Sequence, residues 1–132
     1  MSSPSDPEEL LRLARQDLAR GQLADAQEKC LQVLGVHQHH PGTLEVLGQV
    51  LFAQGRSDEA VRVFNALTLM QPTVAIHWQN LGTVLRPTGR HAQALAAFER
   101  ALQLAAPTAG LLYNLGVLQM DLCDYSAAYL AL

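Results

Sequence analysis

The chain has 132 residues, 49% of them hydrophobic, which is enough for one packed domain and too apolar for a disordered segment. Aromatic residues make up 5% while Ala and Leu dominate, so close-packed helices are favoured over sheets built from β-branched and aromatic side chains. The net charge of −3 is scattered without a basic block, which argues against nucleic acid and against an anionic membrane surface as partners.

Residues 1–6 read as a polar tail without the basic and apolar segments of a secretion signal. Asp6, Pro7 and Glu9 then predict a helix start: an acid at the cap, a Pro in the first turn and a Glu three residues after the cap. From here one pattern recurs. Leu47-Gly48, Leu81-Gly82 and Leu115-Gly116 follow one another at 34-residue steps, and one step earlier stands Leu13-Ala14. Leu10, Leu44, Trp78 and Leu112 keep the same register, as do Gly21, Gly55, Gly89 and Cys123, and Ala26, Ala60, Ala94 and Ala128. A fixed period in this range marks a repeat architecture, here with units 7–40, 41–74, 75–108 and a truncated 109–132.

The third unit shows why each is expected to be a helix hairpin. Trp78, Leu81, Gly82 and Leu85 have the spacing of one helical face, and Ala94, Phe98 and Ala101 make another after the turn at Gly89. A Gly inside a helix costs about 0.5–1 kcal/mol relative to Ala, so its recurrence needs a packing reason. The expected one is that Gly82 faces Ala94 and lets the two helices close up, with Trp78 and Phe98 filling the space between neighbouring hairpins. Two irregularities stand out. Pro87 should end the first helix of its unit early or kink it, and Cys123 stands at a turn position where glycine can adopt a positive φ and other residues are strained.

These columns resemble the tetratricopeptide repeat family, whose pattern runs Trp, Leu-Gly, Tyr, a turn Gly, Ala, Phe, Ala and Pro. Trp78, Leu81, Gly82, Gly89, Ala94, Phe98 and Ala101 match it, with Leu85 at the Tyr position, and the likeness extends over about residues 7–132. The resemblance implies an all-α fold, a right-handed α-solenoid of antiparallel helix hairpins forming a superhelix. It further implies a concave groove that holds an extended peptide or a partner helix, with no cofactor.

On helical geometry Ile76, Gln79, Asn80, Thr83 and Arg86 lie opposite Trp78, Leu81 and Leu85, and the resemblance implies that this face lines the groove. The equivalent faces supply Glu8, Leu11, Arg12, Arg15 and Leu18, then Glu45, Val46, Gln49 and Phe52, then Tyr113, Asn114, Val117, Met120 and Asp121. Asn80 and Asn114 look like the family asparagines that bond a peptide backbone, since an amide both donates and accepts. Arg12, Arg15 and Arg86 suit carboxylates, although Arg12 and Val46 occupy the earlier Asn columns and leave the clamp of the chaperone-tail-binding relatives incomplete. Leu11, Leu18, Val46, Phe52, Ile76, Val117 and Met120 would make the groove apolar, a sign of a partner.

Other chemistry is weakly supported. His37, His39 and His40 have no standard metal spacing and fall in an expected polar turn, so no metal or cofactor is assigned. Cys30 and Cys123 lack redox or metal spacing and suit a reducing, cytoplasmic setting. Residues 101–120 are uncharged, but Pro107 and Gly110 break the run, so no membrane span is expected. The leading expectation is a non-enzymatic protein–protein interaction module. Its competitors are the amino-terminal recognition region of a larger bacterial enzyme, such as a sulfotransferase or glycosyltransferase, and a small protein that self-associates through an open end bearing Tyr125, Tyr129, Leu130 and Leu132.

Overall fold

Pro7, with its φ already set for a helix and no amide to satisfy, opens the first of the seven α-helices among the described residues. The computed structural model describes the backbone of residues 6–130 and the side chains of residues 6–123. The helices are α1 (Pro7–Ala19), α2 (Leu23–Val36), α3 (Pro41–Ala53), α4 (Ser57–Met70), α5 (Ala75–Leu85), α6 (His91–Leu104) and α7 (Ala109–Leu130), with no strand among the described residues. They form two compact units that divide after Leu67, within α4.

In the first unit α1 and α2 form a hairpin, with α3 packed on both. Its turns are made by Gly21 and Gly55, whose φ values of 76° and 79° need a residue without a Cβ. Ala14, Ala26, Cys30 and Val33 bury the α1–α2 seam. Beside it Lys29 Nζ donates to the nearly buried Asp17 carboxylate, which joins the hairpin's two helices by charge as well. The helix start at Asp6 is where the sequence placed it, but the side-chain cap is not made. Glu9 instead accepts from Nη2 and Nε of the Arg12 guanidinium, at 2.6 and 3.1 Å, an ion pair three residues along the helix. At α3 the cap is a histidine: His40 Nδ1 accepts from the Thr43 amide at 3.2 Å.

The second unit comprises α5, α6 and α7. Pro87 ends α5 at Leu85, as expected, and a single 3₁₀ turn over Arg86–Thr88 leads into Gly89 at φ 78°. The seam between α5 and α6 corrects the expected packing. A Cβ placed on Gly82 would lie 2.6 Å from Phe98 Cε1, so the glycine accommodates the phenylalanine ring of its own hairpin and not Ala94. Gly48 does the same for Phe64 in the first unit, at 2.6 Å from Cζ. Phe98 and Phe64 are thus buried within hairpins, where the sequence reading had placed such rings between them.

Two further corrections concern register and α7. Trp78 is only half-buried, its Nε1 donating to the Pro72 carbonyl at 2.8 Å, and Leu112 is exposed. The closed column lies one residue earlier, at Thr43, His77 and Leu111. His77 enters the interior because Gln71 Oε1 meets its Nε2 at 2.7 Å. At Cys123 there is no turn: α7 runs continuously from Ala109 to Leu130, and no non-glycine among the described residues has positive φ. The expected strain is absent because the chain stays helical there.

The cysteines differ sharply. Cys30 is fully buried, and burial pushes its thiol from 9.0 up to about 11, whereas Cys123 is exposed. A thiol-disulfide reagent at about pH 8 should therefore titrate Cys123 at once and Cys30 only on unfolding. Equal rates for the two thiols would contradict the packing of α2. Because the acid pKa is raised by folding, the unfolded thiol ionises first, so Cys30 should lower stability as pH rises from 9.0 toward about 11.

Candidate functional site

The candidate residues of the second unit come from two helices that face one another. Gln79, Asn80, Thr83 and Arg86 follow helical spacing along α5 and its 3₁₀ extension, and all are half-buried. Tyr113, Asn114, Val117 and Met120 repeat that spacing along α7, and Asp121 follows one residue on. The structure joins them through polar contacts. Asn114 Nδ2 donates to Thr83 Oγ1 at 3.2 Å, and Thr83 Oγ1 donates to the Gln79 carbonyl at 3.0 Å. The hydroxyl has one proton and two lone pairs, so it serves both bonds at once. One turn on, Arg86 Nε meets Asp121 Oδ2 at 2.5 Å, with both side chains partly open to solvent.

Asn80 is placed differently from Asn114. Its Nδ2 is buried with no hydrogen-bond partner. An unmet buried donor costs about 1–3 kcal/mol, so this amide is kept where a bonded or apolar group would be more stable. Its register neighbour in α3, Val46, is also buried, which shows that this column turns inward more than an opposite-face argument allows. Leu11 is likewise buried, beside Gly42. Leu11 and Val46 are therefore core residues, a correction to the expected apolar groove lining. Ile76 and Met120 do stay exposed, at 42% and 67%, and Tyr113 is 72% exposed.

In the first unit, Glu45, Gln49 and Phe52 are half-buried along one face of α3. Arg12 is held by Glu9, and Arg15 is exposed, with its Nη2 3.7 Å from where a Gly42 Cβ would stand. The structure thus joins Gln79, Thr83 and Asn114 in one hydrogen-bonded chain and pairs Arg86 with Asp121 one turn on, while among the described residues the candidates on α1 and α3 form no hydrogen bond or ion pair with one another. The residues expected at an open end, Tyr125, Tyr129, Leu130 and Leu132, lie outside the described side chains.

Hollows that the sequence did not announce also appear. One, of about 460 Å³, lies along α2 between Ala24, Gln27, Glu28, Leu31 and Gln32, and is open and shallow. Another, of about 210 Å³, is formed where α5 begins and the chain passes from α6 to α7. It is lined by Ala75, Ile76, Gln79, Ala101, Ala105, Ala106, Thr108 and Leu111. Its only trace in the sequence is the run of alanines before Pro107. No group of three or more ligating side chains that could hold a metal occurs among the described residues, and none of their helices is long and apolar enough to cross a membrane.

Known proteins share this architecture. The peroxisomal targeting signal receptor of Candida glabrata is 32% identical over 82 residues, covering 62% of this chain and 14% of the receptor. The chain thus spans a small part of that relative's length. The Sgt2 TPR domain of Aspergillus fumigatus superposes with a TM-score of 0.86 at 16% identity, over 95% of this chain and 83% of that one. The type III secretion chaperone SycD of Yersinia enterocolitica, solved with a peptide of the translocator YopD, gives 0.75 at 18% identity, over 86% and 92%. At these identities the likeness is one of fold. The family model for the tetratricopeptide repeat matches residues 11–75, 45–109 and 80–132, in phase with the repeating Leu-Gly pairs. With its hairpins of paired helices, the chain belongs to the tetratricopeptide repeat family.

Proposed function

We propose that this chain is a non-enzymatic protein-interaction module that binds a peptide segment on the α5–α7 face of its second unit. The observation that carries the reading is the make-up of that face: Tyr113, Ile76 and Met120 exposed around the half-buried Gln79, Thr83 and Asn114. Exposed apolar side chains next to amides are suited to a partner that buries carbon while its backbone needs donors and acceptors. Asn114 is the amide assigned to the peptide backbone, with the side-chain carbonyl of Asn80 as a second acceptor because its Nδ2 is buried, Arg86 for an acidic group and Val117 for apolar contact. Arg12, Arg15, Glu45, Gln49 and Phe52 are assigned supporting contacts within the first unit. The peptide-bound chaperone SycD shows that a protein of this fold can hold a peptide, which supports the reading by analogy.

Selection from a random peptide library tests it. The intact chain should enrich a shared peptide pattern, and Tyr113→Ala together with Asn114→Ala should weaken capture by at least about tenfold, the equivalent of about 1.4 kcal/mol. Both variants should keep the melting temperature within a few degrees, since Tyr113 is exposed and Asn114 makes a single neutral bond. Equal capture by the intact and substituted chains would overturn the placement of the site on this face.

A further inference from the structure

The hollow at the α6–α7 junction is built as a cup. Ala101 and Leu111, 1% and 3% exposed, are its floor, while Ile76, Ala105, Ala106 and Thr108 form an exposed rim. No ionisable side chain lines it. The void exists because four of its eight lining residues are alanines, where larger side chains would have closed it. Gln79 stands at the wall on the α5 side, and its side-chain amide makes no hydrogen bond among the described residues. Thr108 is already engaged, its Oγ1 accepting from the Leu111 amide at 3.1 Å as α7 begins. The free side-chain polar capacity of the cup is therefore the Gln79 amide, able to donate and to accept together, and the hydroxyl proton that Thr108 has not spent on the Leu111 amide.

We propose that this cup is a specificity pocket for a single uncharged apolar side chain, leucine-like or phenylalanine-like, of a bound polypeptide, with Gln79 pairing to the peptide group beside it. The inference rests on the peptide-binding reading of the α5–α7 face, which Gln79 and Ile76 also border. The cavity of about 210 Å³ is large enough to take one such side chain. A lysine or glutamate there would lose its hydration against a wall that offers no counter-charge. Gln79 meets the paired donor and acceptor of a peptide bond without choosing among side chains. The pocket thus selects by size and charge, and the amide orients what enters.

The test uses single-residue probes with the intact chain and needs no knowledge of the natural partner. N-acetyl-leucinamide, N-acetyl-phenylalaninamide, N-acetyl-lysinamide and N-acetyl-glutamic amide are titrated separately, and the backbone and methyl resonances of Ala101, Ala105 and Leu111 are followed. The two apolar amides should bind in the millimolar range expected of so small a ligand, and the charged pair at least about tenfold more weakly. Ala105→Leu, a change at the exposed rim that fills the cup from within, should abolish the shifts while leaving melting unchanged. Gln79→Ala should weaken the apolar probes without admitting the charged ones. Equal shifts with all four amides, shifts that survive Ala105→Leu, or no shift with either apolar amide would each overturn the pocket. Library capture that depends on Tyr113 and Asn114 while the amide probes fail would separate loss of this inference from loss of the broader reading.

Discussion

Phe98→Ala is expected to remove about 3–5 kcal/mol of stability, the usual range for deleting a fully buried phenylalanine ring. The ring has no exposed surface and fills the space over Gly82 between α5 and α6. Neither neighbour can follow it inward, because Gly82 has no side chain to extend and Ala94, Ala97 and Ala101 are already packed with single methyl groups. The void therefore stays largely open. In repeat proteins stability is approximately a sum over units and their interfaces, so the loss should be localised. Amide exchange should accelerate in α5 and α6 with the α1–α2 hairpin still protected, and urea denaturation should show a lower midpoint. Uniform loss of protection over all helices would mean that Phe98 supports far more than its own hairpin.

Gly82→Ala should destabilise even though alanine is the better helix former. The new methyl would stand 2.6 Å from Phe98 Cε1 and 2.8 Å from Cζ. A flexible exposed side chain would swing away at little cost, but this ring is enclosed. Overpacking of this kind costs about 1–3 kcal/mol, against a propensity gain of about 0.5–1 kcal/mol. The net expectation is a loss of about 1–2 kcal/mol, read from the same urea midpoints. The first hairpin already carries the complementary solution: Ala14 stands in the register of Gly82, and Cys30 stands in that of Phe98, both fully buried. A methyl is tolerated there because the opposing ring is replaced by a thiol. In Gly82→Ala with Phe98→Leu the two losses should therefore be clearly less than additive. Strict additivity would show that the glycine is kept for a reason other than the ring.

The repeat was legible because its signals are local. A glycine at each turn and the Leu-Gly pair every 34 residues are properties of short segments, and Gly21, Gly55 and Gly89 all adopt the positive φ that explains them. Helical spacing also grouped Gln79, Thr83 and Arg86 on one side of α5 and Asn114 and Asp121 on one side of α7, and these do meet. What sequence could not supply was the degree of burial within a face. Thr43 and His77 are polar, yet each is closed in with a nearby partner, His40 or Gln71, which spacing alone does not reveal. Asn80 and Val46 were placed outward on an idealised wheel, but that column rotates inward against neighbouring helices. The continuity of α7 was misread from a column whose other members are glycine: Cys123, unlike them, is free to remain helical.

On the proposed peptide-binding reading, the contact between Arg86 and Asp121 bears on how this surface would tell one visitor from another. A guanidinium waiting in solvent would reward any carboxylate that approached it. Here a carboxylate is already seated, so an incoming acidic group can only exchange with it, giving up its own water for a bond that Asp121 relinquishes. Such an exchange is close to neutral in Coulomb energy, and raising ionic strength weakens the outgoing and incoming pairs alike. Discrimination at this end of the protein then falls to shape and to uncharged groups.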